Sequence, residues 1–398
     1  MKLGVVVLGL AALAAALGWR PAAPAATVIW IGGNTSGYLE PCGCVKPMTG
    51  GIRRKATLLR QQRGADDLTV ELGPFIKDPL RQSQLKLDAM AEFGRAAQVD
   101  AMGLMAGDMK LDGPVLAAAN SLSGGRFVQS QSTAVTQIQE AKGWTIGAIS
   151  PRLGDPGTAW TQLSSAAGEN PILVMFDGDL EAASAFAANR TGLKVVCYPS
   201  SSPEAKNVGG VMVVGTGERG KYVGRLDLTA KRYKSFALGP EFADDSAVSR
   251  VMARYLARVK GENLIAQEPR SHAAAFAGSK ACAPCHTKIV DQWTKTGHGK
   301  AFVTLQKEQH DFDPDCVKCH VVGKDKTTGF VSVAKTPQLQ HVGCESCHGP
   351  ARDHAKKPKV YKLAKAGPQS CQTCHVPDHS PAFNFDSYWQ KIKHGRPK

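Results

Sequence analysis

The chain has 398 residues, with 49 Lys and Arg against 34 Asp and Glu, a formal net charge of +15. Its 43% hydrophobic and 21% charged content excludes a wholly disordered or fibrous chain, and its length predicts two or three domains. A basic excess of this size points first to nucleic acid or an acidic membrane surface. Two residue types divide the chain before any motif is read: residues 1–271 hold no histidine, whereas all 11 histidines and eight of the 11 cysteines lie from His272 onward.

Met1-Lys2 opens the chain with a positive charge. An apolar run of 17 residues from Leu3 to Trp19 follows, then Arg20 and the small residues of 21–26. This is the pattern of a cleaved secretory signal over residues 1–26, with Ala23-Pro24-Ala25 as the cleavage site. The alternative is an uncleaved anchor helix at the short end of a membrane span. Export predicts a periplasmic or extracellular location, where cysteines oxidise unless a cofactor takes them.

From residue 27 to 261, short apolar runs predict strands at 28–31, 68–72, 144–149, 172–176, 193–197, 211–214 and 224–228. Helical patterns fall at 52–62, 85–97 and 247–260. The last has Asp245 or Ser246 to cap its start, Gly261 to close it, and Val248, Val251, Met252, Tyr255 and Val259 on one face. The alternation predicts an α/β domain over 27–261 with helices covering a parallel or mixed sheet. A linker is expected at 262–277 and a second domain at 278–398.

Composition changes at His272. Leu, Ile, Val and Phe make up 21 of the 127 residues from there to Lys398, about 17%, too few for a conventional apolar core. Four C-x-x-C-H motifs occupy this region: Cys282, Cys285 and His286; Cys316, Cys319 and His320; Cys344, Cys347 and His348; Cys371, Cys374 and His375. This spacing is the attachment signature of c-type haem. Two thiols add across the vinyl groups of one porphyrin, and the adjacent imidazole reaches the iron from one face. A zinc site or redox dithiol could use one such motif, but four with the histidine in the same place predict four c-type haems. Four large apolar macrocycles would also replace the missing core, with loops and short helices wrapped around them. The other seven histidines, His272, His298, His310, His341, His354, His379 and His394, are candidate distal ligands. A second imidazole gives a six-coordinate iron suited to electron transfer; a vacant position allows small-molecule chemistry.

The stretches Gly278 to Cys282, Trp293 to Phe302, Asp315-Cys316, Val342 to Pro350, Phe383-Asn384-Phe385 and Ile392-Lys393-His394 resemble the tetrahaem cytochrome c554 family over residues 275–396. The resemblance implies a small, mostly α-helical and looped multihaem domain with closely packed, mostly bis-histidine haems. In the family's type member one iron lacks a distal ligand. By position it implies His298, His354 and His394 as distal ligands. His272, His341 and His310 compete with an empty site for the fourth, and His379, close behind the fourth motif, is expected to face solvent.

Gly37 to Cys44, Gly50 to Arg54 and Glu218 to Tyr222 resemble the exported 5′-nucleotidase/metallophosphatase family, whose sandwich carries a dinuclear metal site. The positions of its ligand motifs read Asn34-Thr35-Ser36, Glu71-Leu72-Gly73-Pro74 and Met105-Ala106-Gly107-Asp108, and no histidine precedes His272. A two-metal phosphoesterase normally needs several imidazoles, so a metallophosphatase-like domain without its metal site or phosphatase activity is expected, serving docking, spacing or assembly. Cys42, Cys44 and Cys197 suggest one disulfide, with Cys197 bridging to Cys42 or Cys44, or metal binding by Cys42-Gly43-Cys44.

The function expected is an exported electron carrier with redox partner proteins, other cytochromes among them. Peripheral membrane association and assembly state are left open. The alternatives are an oxidoreductase acting on a small nitrogen or sulfur compound at a five-coordinate haem, and a structural subunit of a larger cytochrome assembly. Residues 271–398 carry a net +9, which the two propionates on each of four haems would nearly cancel. The basic excess then reads as counter-charge for cofactors, not as a nucleic-acid footprint.

Overall fold

The computed structural model describes residues 25–41, 47–130, 135–377 and 379–395. The expected signal segment up to residue 24, and Cys42 and Cys44, lie outside the described residues. No helix among the described residues is long and apolar enough to cross a membrane. The chain forms two compact units: one of the stretch up to Gly37, Lys55–Lys77 and Met90–Leu238, the other of Tyr38–Arg54, Asp78–Ala89 and everything from Gly239.

The first unit is a two-sheet α/β structure. One sheet holds β1 (Val28–Gly33), β2 (Leu68–Leu72), β3 (Ala101–Leu104), β4 (Phe127–Ser130) and β5 (Val135–Gln137). The other holds β6 (Gln139–Ala141), β7 (Trp144–Ile149), β8 (Ile172–Phe176), β9 (Leu193–Tyr198), β10 (Pro203–Val208) and β11 (Val211–Thr216). The chain then returns to the first sheet with β12 (Tyr222–Asp227) and β13 (Arg232–Ala237). The orders are β13-β12-β1-β2-β3-β4-β5 and β10-β11-β9-β8-β7-β6. β1 to β4 run parallel, as do β7, β8, β9 and β11, and antiparallel strands close the edges. Helices α1 (Ile52–Gln62), α2 (Arg81–Ala96) and α3 (Gly113–Ser123) follow β1, β2 and β3 in turn.

Alternation along each strand decides what packs where. Ile29, Ile31, Leu68, Val70 and Leu72 meet Ile146, Ala148, Leu173, Met175 and Val195 between the sheets. The opposite face of the second sheet presents Val174, Phe176, Val196 and Val213 to Ala159 and Leu163 of α4 (Pro156–Ala167) and to Ala183 and Phe186 of α5 (Leu180–Ala187). β8 is buried on both faces, which is why it reads as an unbroken apolar run. Cys197 is a free, fully buried thiol in this core, so the disulfide expected at Cys197 is absent; burial pushes its pKa up.

The second unit is built differently. Helix α6 (Ser246–Gly261) starts at Asp245, whose carboxylate accepts from Val248 N at 2.9 Å, and buries the five residues named from the sequence. Gln82 donates to Tyr255 Oη at 3.0 Å and to Asp313 Oδ1 at 2.7 Å; Arg81 meets Glu262 at 2.7 and 2.9 Å. Ile265, Phe276, Phe302, Leu305, Val317, Val321, Val322, Phe330 and Leu339 form an apolar cluster. One expectation needs correction here: the region after His272 does own a small side-chain core, to which Ile265 and Phe276 of residues 262–277 contribute. α6 falls within this second compact unit. Beyond Leu339 the only buried apolar residue among those described is Ala351.

Candidate functional site

Each C-x-x-C-H motif sits on a short helical turn: Ala283–Thr294, Pro314–Val317, Cys344–His348 and Pro368–Gln372 carry or adjoin one apiece. On such a turn residues i, i+3 and i+4 share a face, which sets two sulfurs and an imidazole toward one object. At the first motif the helix kinks at His286 (φ −126°, ψ 36°). At the second, Asp313 caps the turn by accepting from Asp315 N at 2.9 Å.

Three imidazoles from the motifs face three from elsewhere in the chain. Ring centroids lie 6.4 Å apart for His286 and His354, 6.1 Å for His375 and His298, and 5.7 Å for His348 and His394. Two imidazoles ligating one metal from opposite sides, each with a nitrogen about 2 Å from it, put their centroids about 6 Å apart. The chemistry of the donor set therefore fits an iron between each pair. Backbone oxygens turn several rings the right way. His354 Nδ1 donates to Tyr361 O at 2.7 Å, His348 Nδ1 to Ala364 O at 2.9 Å, and His320 Nδ1 to Ala301 O at 2.7 Å. Since a carbonyl only accepts, Nδ1 carries the proton and Nε2 keeps the free lone pair that a metal needs. Burial holds the pKa values of His298, His341 and His375 below the usual imidazole range, favouring the neutral, ligating form.

The motifs also meet one another in twos. The Cys282 and Cys344 thiols share a hydrogen bond that draws Cys344 toward thiolate and pushes Cys282 up. A hydrogen bond from Cys319 likewise lowers Cys374. The first motif thus lies beside the third and the second beside the fourth. Glu345, the residue after Cys344, is buried and accepts from Ala277 N at 2.8 Å, Gly278 N at 2.7 Å and Ala351 N at 2.7 Å. It ties the third motif to the chain entering the first. Ser279 Oγ adds a bond from Cys344 N at 3.2 Å. A cavity of about 300 Å³ opens beside His375, lined by Gln372, Val376, Ser380 and Phe383 among others.

The remaining histidines separate. His272 is exposed. His341 accepts from Phe302 N at 3.3 Å with its ring against Trp293. His310 lies 3.5 Å from Glu40 and 3.8 Å from Asp313, and the carboxylates raise its pKa. His310, Asp313 and Cys316 lie close enough together to hold a metal ion, and Cys316 is also the first cysteine of the second motif. His379, expected to face solvent, is half-buried with its ring 6.4 Å from that of Tyr38. Sequence reasoning missed Glu345 and the carbonyls of Tyr361, Ala364 and Ala301. The carbonyls carry no side-chain signal, and the burial of Glu345 emerges only once its distant donors converge.

In the first unit Asn34, Glu71 and Asp108 are each held by bonds within the protein. Asn34 donates to Ser200 O at 3.1 Å and to Gly217 O at 3.0 Å. Glu71 pairs with Lys55 at 2.8 Å, both fully buried, and burial raises the Glu71 pKa against the pull of Lys55. Asp108 accepts from Phe75 N at 2.7 Å, Ile76 N at 3.1 Å and Met105 N at 3.0 Å. Burial, helped by the nearby Asp177, pushes its pKa up to about 7. Gly73 gives Asp108 its room, since a Cβ there would collide with Asp108 Oδ2.

The profile of the family described as cytochrome c554 and c-prime matches residues 281–349. Cytochrome c-554 of Nitrosomonas europaea is 32% identical over 164 residues, covering 33% of this chain and 67% of that protein. Among solved structures, the 5′-nucleotidase precursor of Thermus thermophilus is similar at 18% identity and a TM-score of 0.45, over 71% of this chain and 67% of that one. The sulfate thiohydrolase SoxB of the same organism is similar at 12% identity and a TM-score of 0.46, over 69% of each chain.

Proposed function

Because the chain belongs, through its C-terminal part, to the cytochrome c554 family, we propose that it is an exported electron carrier holding four c-type haems. The attachment pairs are Cys282 and Cys285, Cys316 and Cys319, Cys344 and Cys347, and Cys371 and Cys374. The proximal ligands are His286, His320, His348 and His375. His354, His394 and His298 serve the first, third and fourth irons. A bound haem supplies a one-electron centre. The chain's own residues orient the imidazoles of His354, His348 and His320 through Tyr361, Ala364 and Ala301, and tie the third motif to the chain entering the first through Glu345. Electrons pass among closely spaced centres to redox partner proteins. The first unit serves docking, spacing or assembly.

The observation that carries this reading is the spacing of three imidazole pairs, each with one member from a motif. The test is a pyridine haemochrome count with electron paramagnetic resonance on the exported holoprotein. The count expected is four haems per chain, and three low-spin bis-imidazole signals should appear. Fewer haems, or no low-spin signal, would refute it. A second reading places small-molecule chemistry at the second motif. Among the described residues the three other ring pairs leave His320 outside them. A high-spin signal that changes on adding nitric oxide or hydroxylamine would favour that reading.

A further inference from the structure

Between Asp353 and Asp378 the sequence holds five lysines and no acidic residue. Lys356, Lys357, Lys359, Lys362 and Lys365 are all exposed, in a unit that is otherwise mixed in charge. Among the described residues no ion pair joins any of them to a carboxylate; Lys362 reaches only Pro358 O, at 3.4 Å. In their midst Val360 is 68% and Tyr361 48% exposed, the two most exposed large apolar side chains described. An exposed valine and tyrosine ringed by one sign of charge has the composition of a recognition surface, with an apolar anchor and a charged rim.

The backbone beneath this patch is not neutral to the site. Tyr361 O accepts from His354 Nδ1 at 2.7 Å, and Ala364 O accepts from His348 Nδ1 at 2.9 Å. His354 faces His286 and His348 faces His394, so one ten-residue surface segment holds an imidazole from each of two separate pairs. A protein seated on the segment would lie one hydrogen bond and one ring away from both irons.

We propose that residues 356–365 are the docking surface for an acidic redox partner protein, which exchanges electrons through the first and third haems. The proposal rests on the haem reading above. Charge complementarity selects the partner: five unpaired lysines within ten residues attract an acidic face, and such steering raises association rates by about ten- to a thousandfold at low salt. The carbonyl bonds to two imidazoles favour a redox protein over a lipid surface, because a membrane gains nothing from contact with haem ligands.

The test uses the exported holoprotein and reduced plant-type ferredoxin, a small acidic iron–sulfur protein, as probe. Stopped-flow reduction of the haems is followed at low and high salt. The wild-type rate should fall steeply with salt. The triple variant Lys359→Glu, Lys362→Glu and Lys365→Glu should react about tenfold slower at low salt and lose the salt dependence. Reversal of the exposed Lys194, Lys206 and Lys231 should leave the rate unchanged. Equal rates for the patch variant and wild type would overturn the proposal. So would a slower rate that follows shifted midpoint potentials, which would make the lysines propionate counter-charges. So would an unchanged rate accompanied by loss of binding to phosphatidylglycerol vesicles, which would make the patch a membrane contact. Failure of the haem reading is separate, since it shows beforehand as a low haemochrome count.

Discussion

Glu345 shows how one side chain can organise a multi-centre site without touching a metal. Its two oxygens take three backbone N–H groups, two from the distant Ala277 and Gly278 and one from Ala351 six residues on, and carboxylate acceptors make the stronger hydrogen bonds. Glu345→Gln keeps the size but replaces one acceptor oxygen by a donor that faces N–H groups. The expected loss is about 1–3 kcal/mol, read by guanidine unfolding of the holoprotein, with the haem count retained. No change in stability would show that the bonds are incidental. Asp108 offers a second residue-scale prediction. Its carboxyl has a folded pKa near 7, against about 4 in the unfolded chain. The folded state therefore binds the proton more tightly. The stabilising contribution is full below pH of about 4, and is lost as pH rises through about 7, by on the order of a few kcal/mol. Asp108→Asn, always neutral, should flatten that slope in unfolding curves measured across this range; an unchanged slope would assign the pH dependence elsewhere. The same residues mark what could be read from the sequence at the site. The C-x-x-C-H histidines and three partner histidines were legible because spacing and resemblance named them. Their pairing was not, because it depends on which loops return to which turn.

At the scale of elements, legibility followed burial together with length. β2, β7 and β8 have the expected limits because each is wholly buried and carries an apolar run or alternation along its length. Six strands were missed: β5, β6, β10 and β13 are edge strands, with sequences such as PEAKNV and RYKSFA, whereas β3 and β4 lie inside their sheet but are only four residues long, too short to stand out as apolar runs. Charged, half-exposed edges protect a sheet from pairing with another chain, and the same polarity hides them from an apolar-run reading. α6 was legible to its buried face, yet its partners were not. Val248, Val251, Met252, Tyr255 and Val259 announce a helix that must pack, but they do not say against what. Its partners include Gln82, far back in the sequence, whose amide joins Tyr255 to Asp313. Contacts of that sequence separation leave no local periodicity to read.

At the scale of the molecule the two units differ in what holds them together. The first has two extensive apolar clusters, between its sheets and beneath its helices. The second has one cluster of nine residues that ends at Leu339, and beyond it Ala351 alone is buried among the apolar residues described. Conformational entropy costs about 1–2 kcal/mol per ordered residue, and the segment after Leu339 buries almost no apolar side chain of its own to offset it. Its order must come from haem faces together with polar ties such as Glu345 and the Nδ1 bonds to Tyr361 and Ala364. Full-length chain made without haem attachment, by changing the eight motif cysteines to serine, should therefore behave as a partly folded protein. Limited proteolysis should cut rapidly between residues 340 and 395 and leave the first unit intact, whereas the holoprotein should resist at both. Mass spectrometry of the fragments reads the boundary directly. Protection of residues 340–395 in the haem-free chain would mean that this segment folds on polar contacts alone, and the cofactors would then be passengers of the fold and not its core.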